Sequence, residues 1–374
     1  MIQRGAPRIF VSAGEPSGDL HAAGVVRALY HRYSDASVEA LGGRHLEQAG
    51  ASIRYSIDGL AAFGVVEVVT KVRAHYRLLR ALQQDFRRGR YDLAILVDYP
   101  GFHLRVAEAA HRAGTKVLHY IAPQLWAWRP ERARRLAAAV DRLAVVLPFE
   151  QEFFGRLGVR SEYVGHPLID CSPSPSREQA RARLGIAAQH RVLGLFPGSR
   201  SQEIRRLWKP FRDTANQLLQ EGTCDRVLVA GTADGQYPNP GQIEVLRENT
   251  SLLLSAADAA LVKSGTTTLE AALAGTPMVV AYRVHQVSWA VFQRVRTVRW
   301  VSLVNLVAER EIVPELLQRH ATPTELAMRL RPLLDPVDRR TIAQRQGLAL
   351  VRERLGQAGA SQRVVELAGE LLDP

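Results

Sequence analysis

The strongest constraint on this chain is an alternation that occurs twice: short, almost wholly apolar runs separated by stretches with helical periodicity. In the first half, Ile9–Ala13, Val38–Leu41, Leu93–Asp98, Val117–Ala122 and Leu143–Leu147 read as buried strands. Helix-period segments such as Gly18–Tyr33 and Leu104–Ala113 lie between them. Strands alternating with helices predict βαβ units and a parallel sheet. The pattern breaks at His166–Ser176, where prolines and serines interleave, and resumes at Val192–Phe196, Arg226–Ala230, Ala259–Lys263 and Pro277–Ala281. From Thr322 onward only helical patterns remain. The expectation is an α/β chain of two doubly wound, Rossmann-like domains, 1–165 and 177–340, joined by a linker at 166–176. Helices at 341–374 are expected to pack back on the first domain or on a partner subunit. Ligands of such sheets sit at the carboxyl ends of the strands, here in a cleft between the domains.

Bulk properties agree and exclude several classes. At 374 residues the chain exceeds one ordinary core, and 47% apolar with 23% charged residues is the balance of a folded protein. No apolar run is long enough to span a membrane, and Met1–Arg8 lacks the apolar core of a secretion signal. Cys171 and Cys224 lie far apart without metal-ligand spacing, which fits a reducing compartment. The net charge of +12 attracts polyanions: nucleic acid, anionic lipid or phosphorylated substrates.

Five segments carry candidate chemistry. Ser12–His21 follows the first strand. Gly14 and Gly18 permit a tight turn that leaves amides open at a helix start, and Glu15, Asp19 and His21 bring titratable groups. A plain turn with Ser17 or Asp19 as helix cap would use the same residues. Asp98 ends a buried strand in Val97-Asp-Tyr-Pro-Gly-Phe102. Tyr120–Arg129 holds Trp126 and Trp128, whose faces suit sugar rings, lipid or the core. Pro197-Gly-Ser199-Arg200 opens the second domain with amides and a guanidinium fit for phosphate.

The fifth, Lys263-Ser264-Gly265-Thr266-Thr-Thr268-Leu-Glu270, is a strand, turn and helix start. Its amides and hydroxyls suit a diphosphate, and Glu270 suits ribose hydroxyls. Neither Asp-x-Asp nor any metal-ligand motif occurs. No metal or other cofactor is expected, and Arg200, Lys263 and the 264–268 turn would meet a leaving diphosphate's charge. The fingerprint G-x-G-x-x-G of dehydrogenases is missing, and no RNA-recognition motif accompanies the basic charge.

Taken in order, several stretches resemble the lipid-A-disaccharide synthases, inverting glycosyltransferases of the GT-B fold. They are AGEPSGD at 13–19, LGG at 41–43, FGVVEV at 63–68, VDYPGF at 97–102, APQLWAWRPERA at 122–133, VGHPLID at 164–170, PGSRSQEI at 197–204, KSGTTTLEAALAGTPMVVAYR at 263–283 and VSLVNLVAER at 301–310. The resemblance implies transfer of 2,3-diacylglucosamine from UDP to 2,3-diacylglucosamine 1-phosphate. It makes Asp98 the general base, with Glu15 on the acceptor side; Arg200, Glu270 and Asn305 match donor-site residues. Ser12, Ser17, Gly18 and Ser199 complete the expected substrate contacts.

It also implies a cytoplasmic enzyme at the inner-membrane lipid surface, with no nucleic acid partner and an oligomeric state that leaves a homodimer open. Pro16, Ala22-Ala23 and Leu46 depart from the usual pattern and bear on acceptor fit. Another GT-B transferase or epimerase acting on a soluble sugar would share the nucleotide site. The expected membrane- and acyl-docking element is Phe63–Arg90. There Tyr76, Leu79, Leu82 and Phe86 continue an apolar stripe begun by Val65, Val68 or Val69 and Val72, ringed by Lys71, Arg73, Arg77, Arg80, Arg87, Arg88 and Arg90. An ordinary sheet-covering helix would show the same stripe.

Overall fold

A computed structural model describes residues 6–57, 65–170 and 175–373, with the side chains of 65–72, 287 and 288 excepted. The chain divides into two compact units, Met1–Asp170 with Gln357–Pro374, and Cys171–Gly356.

Unit 1 is built on strands β1 (Arg8–Ala13), β2 (Ser37–Gly42), β3 (Ser52–Ser56), β4 (Leu93–Val97), β5 (Lys116–Tyr120), β6 (Arg142–Val145) and β7 (Ser161–Tyr163). They lie in the order β3-β2-β1-β4-β5-β6-β7, every pair parallel. Unit 2 contains β8 (Val192–Phe196), β9 (Arg226–Ala230), β10 (Glu244–Leu246), β11 (Ala259–Lys263), β12 (Met278–Tyr282) and β13 (Glu315–Leu317). Their order is β10-β9-β8-β11-β12-β13, again all parallel. In each unit the first strand lies between the second and the fourth, the doubly wound arrangement the alternation predicts.

Helices cover these sheets. In unit 1, α1 (Pro16–Arg32), α2 (Arg44–Gln48), α3 (Val65–Arg87) and α4 (Pro100–Arg112) are the ones that bear on the site. The far end of α3 is core: Leu82 and Phe86 are fully buried, and the Phe86 ring meets Phe10 at 6.0 Å and Tyr91 at 5.9 Å. Asp85 is buried too, accepting two bonds from Arg54 and one from Tyr55. Farther toward the start of α3, Tyr76 is exposed under the guanidinium of Arg80, and Arg73 and Arg77 face solvent. The lower half of the expected stripe therefore packs on the sheet. Phe63, Gly64 and the side chains of Val65–Val72 lie outside the described residues.

Unit 1 is finished by a distant piece of chain. Helix Ala360–Leu372 packs on α1 and reaches β4, β5 and β6. Asp170 caps it, Oδ1 accepting from the Gly359 amide (2.6 Å) and Oδ2 from that of Ser361 (3.1 Å). Arg363 donates to the carbonyls of Val164, Gln357 and Ala358. Gly165 has φ +85°, and a Cβ there would stand 2.6 Å from the Arg363 guanidinium. The VGHPLID segment thus serves as the seat of this helix. In unit 2, helix Ser201–Gln220 lays Leu207, Trp208 and Phe211 onto Leu195, Val229 and Leu261, a core built by its 3.6-residue apolar stripe.

Candidate active site

At the carboxyl end of β4 the backbone takes an unusual path. Asp98 and Tyr99 both adopt left-handed conformations, φ 53° and 52°, costing roughly 1–3 kcal/mol each for non-glycine residues. The elbow is held from several sides. The Asp98 amide donates to the Tyr120 carbonyl (2.9 Å), and the Phe102 and His103 amides at the start of α4 donate to the Tyr99 carbonyl. His103 then reaches back, its Nδ1 lying 2.7 Å from the Asp98 carbonyl and its Nε2 2.7 Å from Ser12 Oγ.

A carbonyl only accepts, so Nδ1 carries the proton and Nε2 accepts from the Ser12 hydroxyl. His103 is fully buried, and burial, with the neighbouring His119, pushes its pKa down to about 3. Ser12, His103 and Asp98 look like a hydrolase triad in composition but not in geometry. The imidazole binds the main chain of Asp98, and the Ser12 hydroxyl is fully buried. These groups fix the backbone that carries the Asp98 side chain, which is half-buried.

Glu15 belongs to the same end of the sheet. It is exposed on the β1–α1 turn, and its charge, after burial, raises the Tyr99 hydroxyl above its ordinary pKa. The turns after β1 and β4 are in contact, since a Cβ on Gly14 would sit 2.2 Å from the Tyr99 ring. Tyr99 Oη and His75 Nε2 on α3 are 2.5 Å apart. Ser17 is exposed, whereas Gly18 is buried, its Cα face 3.6 Å from the Val97 carbonyl as a Cβ would measure it.

Asp19 does not cap its own helix. Its carboxylate accepts from the amides of Gly43 (2.7 Å) and His45 (2.9 Å), tying α1 to the LGG turn and the start of α2. His21 stands near His166 and Asp170, with burial lowering its pKa. Of the two tryptophans, Trp126 is core, donating to the buried Glu150 (2.8 Å), while Trp128 is exposed with the Arg129 guanidinium 4.5 Å from its ring. Burial pushes Glu150 up to about 7 even though three N–H groups donate to it.

The corresponding end of the unit 2 sheet is made of different materials. β8 and β11 are hydrogen-bonded neighbours with Phe196 beside Val262, so the turns that follow them are adjacent. Lys263 Nζ lies 2.9 Å from Glu203 Oε1 on helix Ser201–Gln220, an ion pair that joins the PGSRSQE and KSG segments. Gly198 has φ +120°, and a Cβ there would strike the Glu203 side chain at 2.5 Å. Gly265 has φ +156°, a backbone shape that favours glycine. Ser199, Arg200 and Thr266 are exposed at this end, and Gly265, Lys263 and Glu270 are half-buried. The amides of Gly265, Thr266 and Thr267 precede the first turn of helix Thr267–Ala274, and none has an acceptor among the described residues. Such a helix start attracts anions. Burial raises the Glu270 pKa above the usual range, a bond with Thr267 opposing the shift.

The remaining expected residues are internal. Ser264 Oγ donates to the Val301 carbonyl (2.7 Å), and Thr268 Oγ1 donates to that of Gly265 (2.8 Å). Asn305 is fully buried with both amide capacities used. Nδ2 donates to the Val313 carbonyl and Glu315 Oε1, and Oδ1 accepts from the Ile312 and Val313 amides. Glu315 also accepts from the Val301 and Ser302 amides, so Asn305 and Glu315 together shape the loop on which Ser264 rests.

Sequence reasoning singles out neither His103, Glu203 nor Glu315. Spacing offered a signal for two of them: His103 falls one turn into the helix that follows Asp98, and Glu203 occupies the third helical position after Arg200. Among the described residues no group of three His, Cys, Asp or Glu side chains gathers as metal ligands.

Residues 9–365 match the family described as lipid-A-disaccharide synthetase. The chain is 39% identical to the lipid-A-disaccharide synthase of Geobacter metallireducens, over 98% of this chain and 97% of that one. It is also 39% identical to the Myxococcus xanthus synthase, over 98% of each. Among solved structures, a UDP-GlcNAc 2-epimerase from Neisseria meningitidis bound to UDP-GlcNAc superposes with a TM-score of 0.67 at 12% identity, covering 97% of this chain and all of that one. At that identity the likeness concerns the fold, two parallel sheets of the GT-B kind. Similarity along nearly the whole length is a different matter: the chain belongs to the lipid-A-disaccharide synthetase family of glycosyltransferases.

Proposed function

We propose that unit 2 binds a UDP-2,3-diacylglucosamine donor and unit 1 a 2,3-diacylglucosamine 1-phosphate acceptor, whose 6-hydroxyl attacks the donor's anomeric carbon with inversion. Asp98 takes the proton as the new C–O bond forms. The bond from that carbon to the diphosphate breaks, and UDP leaves with the electron pair. Its charge is met by Arg200, Lys263 and the amides of Gly265, Thr266 and Thr267. Glu270 binds the ribose hydroxyls. Ser199 and Thr266 add hydroxyl contacts, and Glu15 and Ser17 line the acceptor side. Ser12, Gly18, Ser264, Thr268 and Asn305 act behind these groups by fixing the turns that carry them.

The observation that supports this division is one of charge. Equivalent strand ends present Glu15 and Asp98 in unit 1, but Arg200 and Lys263 in unit 2. A base is needed where a hydroxyl is activated, and cations where a diphosphate departs. Lys263 carries Glu203 as its counter-ion, so a diphosphate must share that lysine or displace the carboxylate.

In this reading the enzyme works at the cytoplasmic face of the inner membrane as a peripheral protein. No helix among the described residues is long and apolar enough to cross a membrane. The exposed Arg73, Arg77 and Arg80 beside Tyr76 give α3 a basic, partly apolar face. Incubation with the acylated donor and acceptor, followed by mass spectrometry, tests the reaction: disaccharide 1-phosphate and UDP should appear in equal amounts. UDP release without disaccharide, or epimerised donor, would overturn it.

A further inference from the structure

Between Glu270 and Glu309 the chain has no acidic residue, yet it carries Arg283, Arg294, Arg296 and Arg299. Arg283 is committed internally, donating to the carbonyls of Gln318 (3.1 Å) and Ala321 (2.7 Å). The other three are exposed. They lie on or just after helix Gln286–Val295, whose hydrogen bonding runs on to Arg296, its amide donating to the Phe292 carbonyl.

This helix leaves apolar side chains in water. Val291 is 55% exposed and Val295, one turn further on, 39%. Trp289 and Phe292 lie beside them with ring centroids 5.5 Å apart. Elsewhere among the described residues of unit 2 the exposed large apolar ones, Met328, Val337 and Ile342, stand singly on separate elements. Single exposed apolar residues are ordinary, whereas an apolar patch bordered by cations on one helix marks a surface for something else.

We propose that helix Gln286–Val295 and the segment through Trp300 form a second bilayer-docking surface, carried by unit 2 and directed to anionic phospholipid. Charge decides the occupant: three exposed guanidiniums with no acid on the segment complement phosphate headgroups, while the valine pair enters the acyl boundary. Arg299 stacks on Trp300 at 5.3 Å, a pair with one polar and one apolar end, as an interface requires. The inference rests on the peripheral-membrane reading above and adds to it that the donor-binding unit has its own contact with lipid, separate from α3.

The test sediments the full-length protein with vesicles of phosphatidylcholine, with and without phosphatidylglycerol. Arg294→Gln with Arg296→Gln should lower binding about tenfold on the anionic vesicles only, with the difference vanishing in high salt. Val291→Ser with Val295→Ser should lower it about tenfold on both kinds. Melting temperature and UDP affinity should match the unsubstituted protein. Binding by both variants equal to that protein's overturns the proposal. So does a change of mass in sedimentation velocity, which would make the patch a contact between copies. A raised KM for long-chain donor with unchanged vesicle binding also overturns it, making the patch an acyl site. Disaccharide formation from short-chain substrates in detergent is measured beside it. Failure of the reaction shows there, and failure of the docking surface shows only on vesicles.

Discussion

The two units share a strand order and differ in what they place at its carboxyl edge. Unit 1 ends β4 in a strained pair of left-handed residues, the first of which bears a carboxylate and has its backbone braced by a buried histidine. Unit 2 ends β11 in a Ser-Gly-Thr turn in which glycine takes the unusual backbone angle, Ser264 Oγ is anchored on the Val301 carbonyl, and the amides of Gly265, Thr266 and Thr267 stay open. A base must be positioned to within a few tenths of an ångström, and strain with buried bonds supplies that rigidity. A diphosphate offers many oxygens, and a turn with several donors tolerates small displacements. The same topology thus carries two different sets of groups at equivalent positions, carboxylates in one unit and cations with open amides in the other.

The contrast has a cost in unit 1 that acid should expose, and this is the largest expected effect. His103, His119 and His166 are buried there, with pKa values pushed down to about 3, 4 and 3 by desolvation. Asp170 opposes the shift at His166. In the unfolded chain histidine titrates near 6.5, so the unfolded state takes up protons first as pH falls. The stability these neutral rings hold above pH ~6.5 is lost below it, at roughly 1 kcal/mol per pH unit for each. His190, His285 and His320 of unit 2 are not buried. Calorimetry from pH 7 to 4.5 should show a unit 1 transition falling well ahead of that of unit 2. Transitions that fall in parallel would break the comparison.

Next in size is catalysis. Asp98→Asn keeps the elbow and its backbone bonds but removes the proton acceptor, and kcat should drop about a hundred- to ten-thousand-fold with UDP affinity unchanged. If Glu15→Gln is the variant that loses turnover instead, the base sits on the turn after β1 and the two carboxylates exchange roles. Smaller again is the donor side. Glu270→Ala should weaken UDP binding by about 1.5–3 kcal/mol in calorimetry, roughly ten- to a hundred-fold, with an unchanged melting curve. Unaltered affinity would take the ribose contact away from this residue. The smallest effect sharpens the anion site: Arg200→Lys keeps the charge and loses the planar fork, so UDP affinity should fall only about three- to tenfold.

How much of this was legible in the sequence depended on burial. The central strands β1, β4, β5, β8 and β11 are apolar runs covered on both faces, and the pattern located each to within a residue or two. The edge strands β3, β7, β10 and β13 were not foreseen. They are three to five residues long and half exposed, and their polar side chains, as in Ser-Glu-Tyr of β7, erase the apolar signal. At the site, glycine and charge patterns single out the turns after β1, β4, β8 and β11, but periodicity carries no information about which polar group folds inward. Asp19 reads as cleft-facing by type and Asn305 as a donor-site match by resemblance, yet their bonds run to backbone amides and carbonyls and, for Asn305, to Glu315, groups brought together only by tertiary folding. The left-handed pair at Asp98 and Tyr99 was equally silent, since neither residue is glycine.

The seating of helix Ala360–Leu372 on α1 and β4–β6 has a consequence for the order of synthesis. Unit 2 is contiguous in the chain, whereas the apolar surface that receives Val364, Val365, Leu367 and Leu372 belongs to residues made much earlier. While the ribosome is still translating, that surface has no permanent cover, and the unit made first is the one completed last. A nascent chain of this enzyme therefore presents chaperones with an unfinished first half throughout the production of its second.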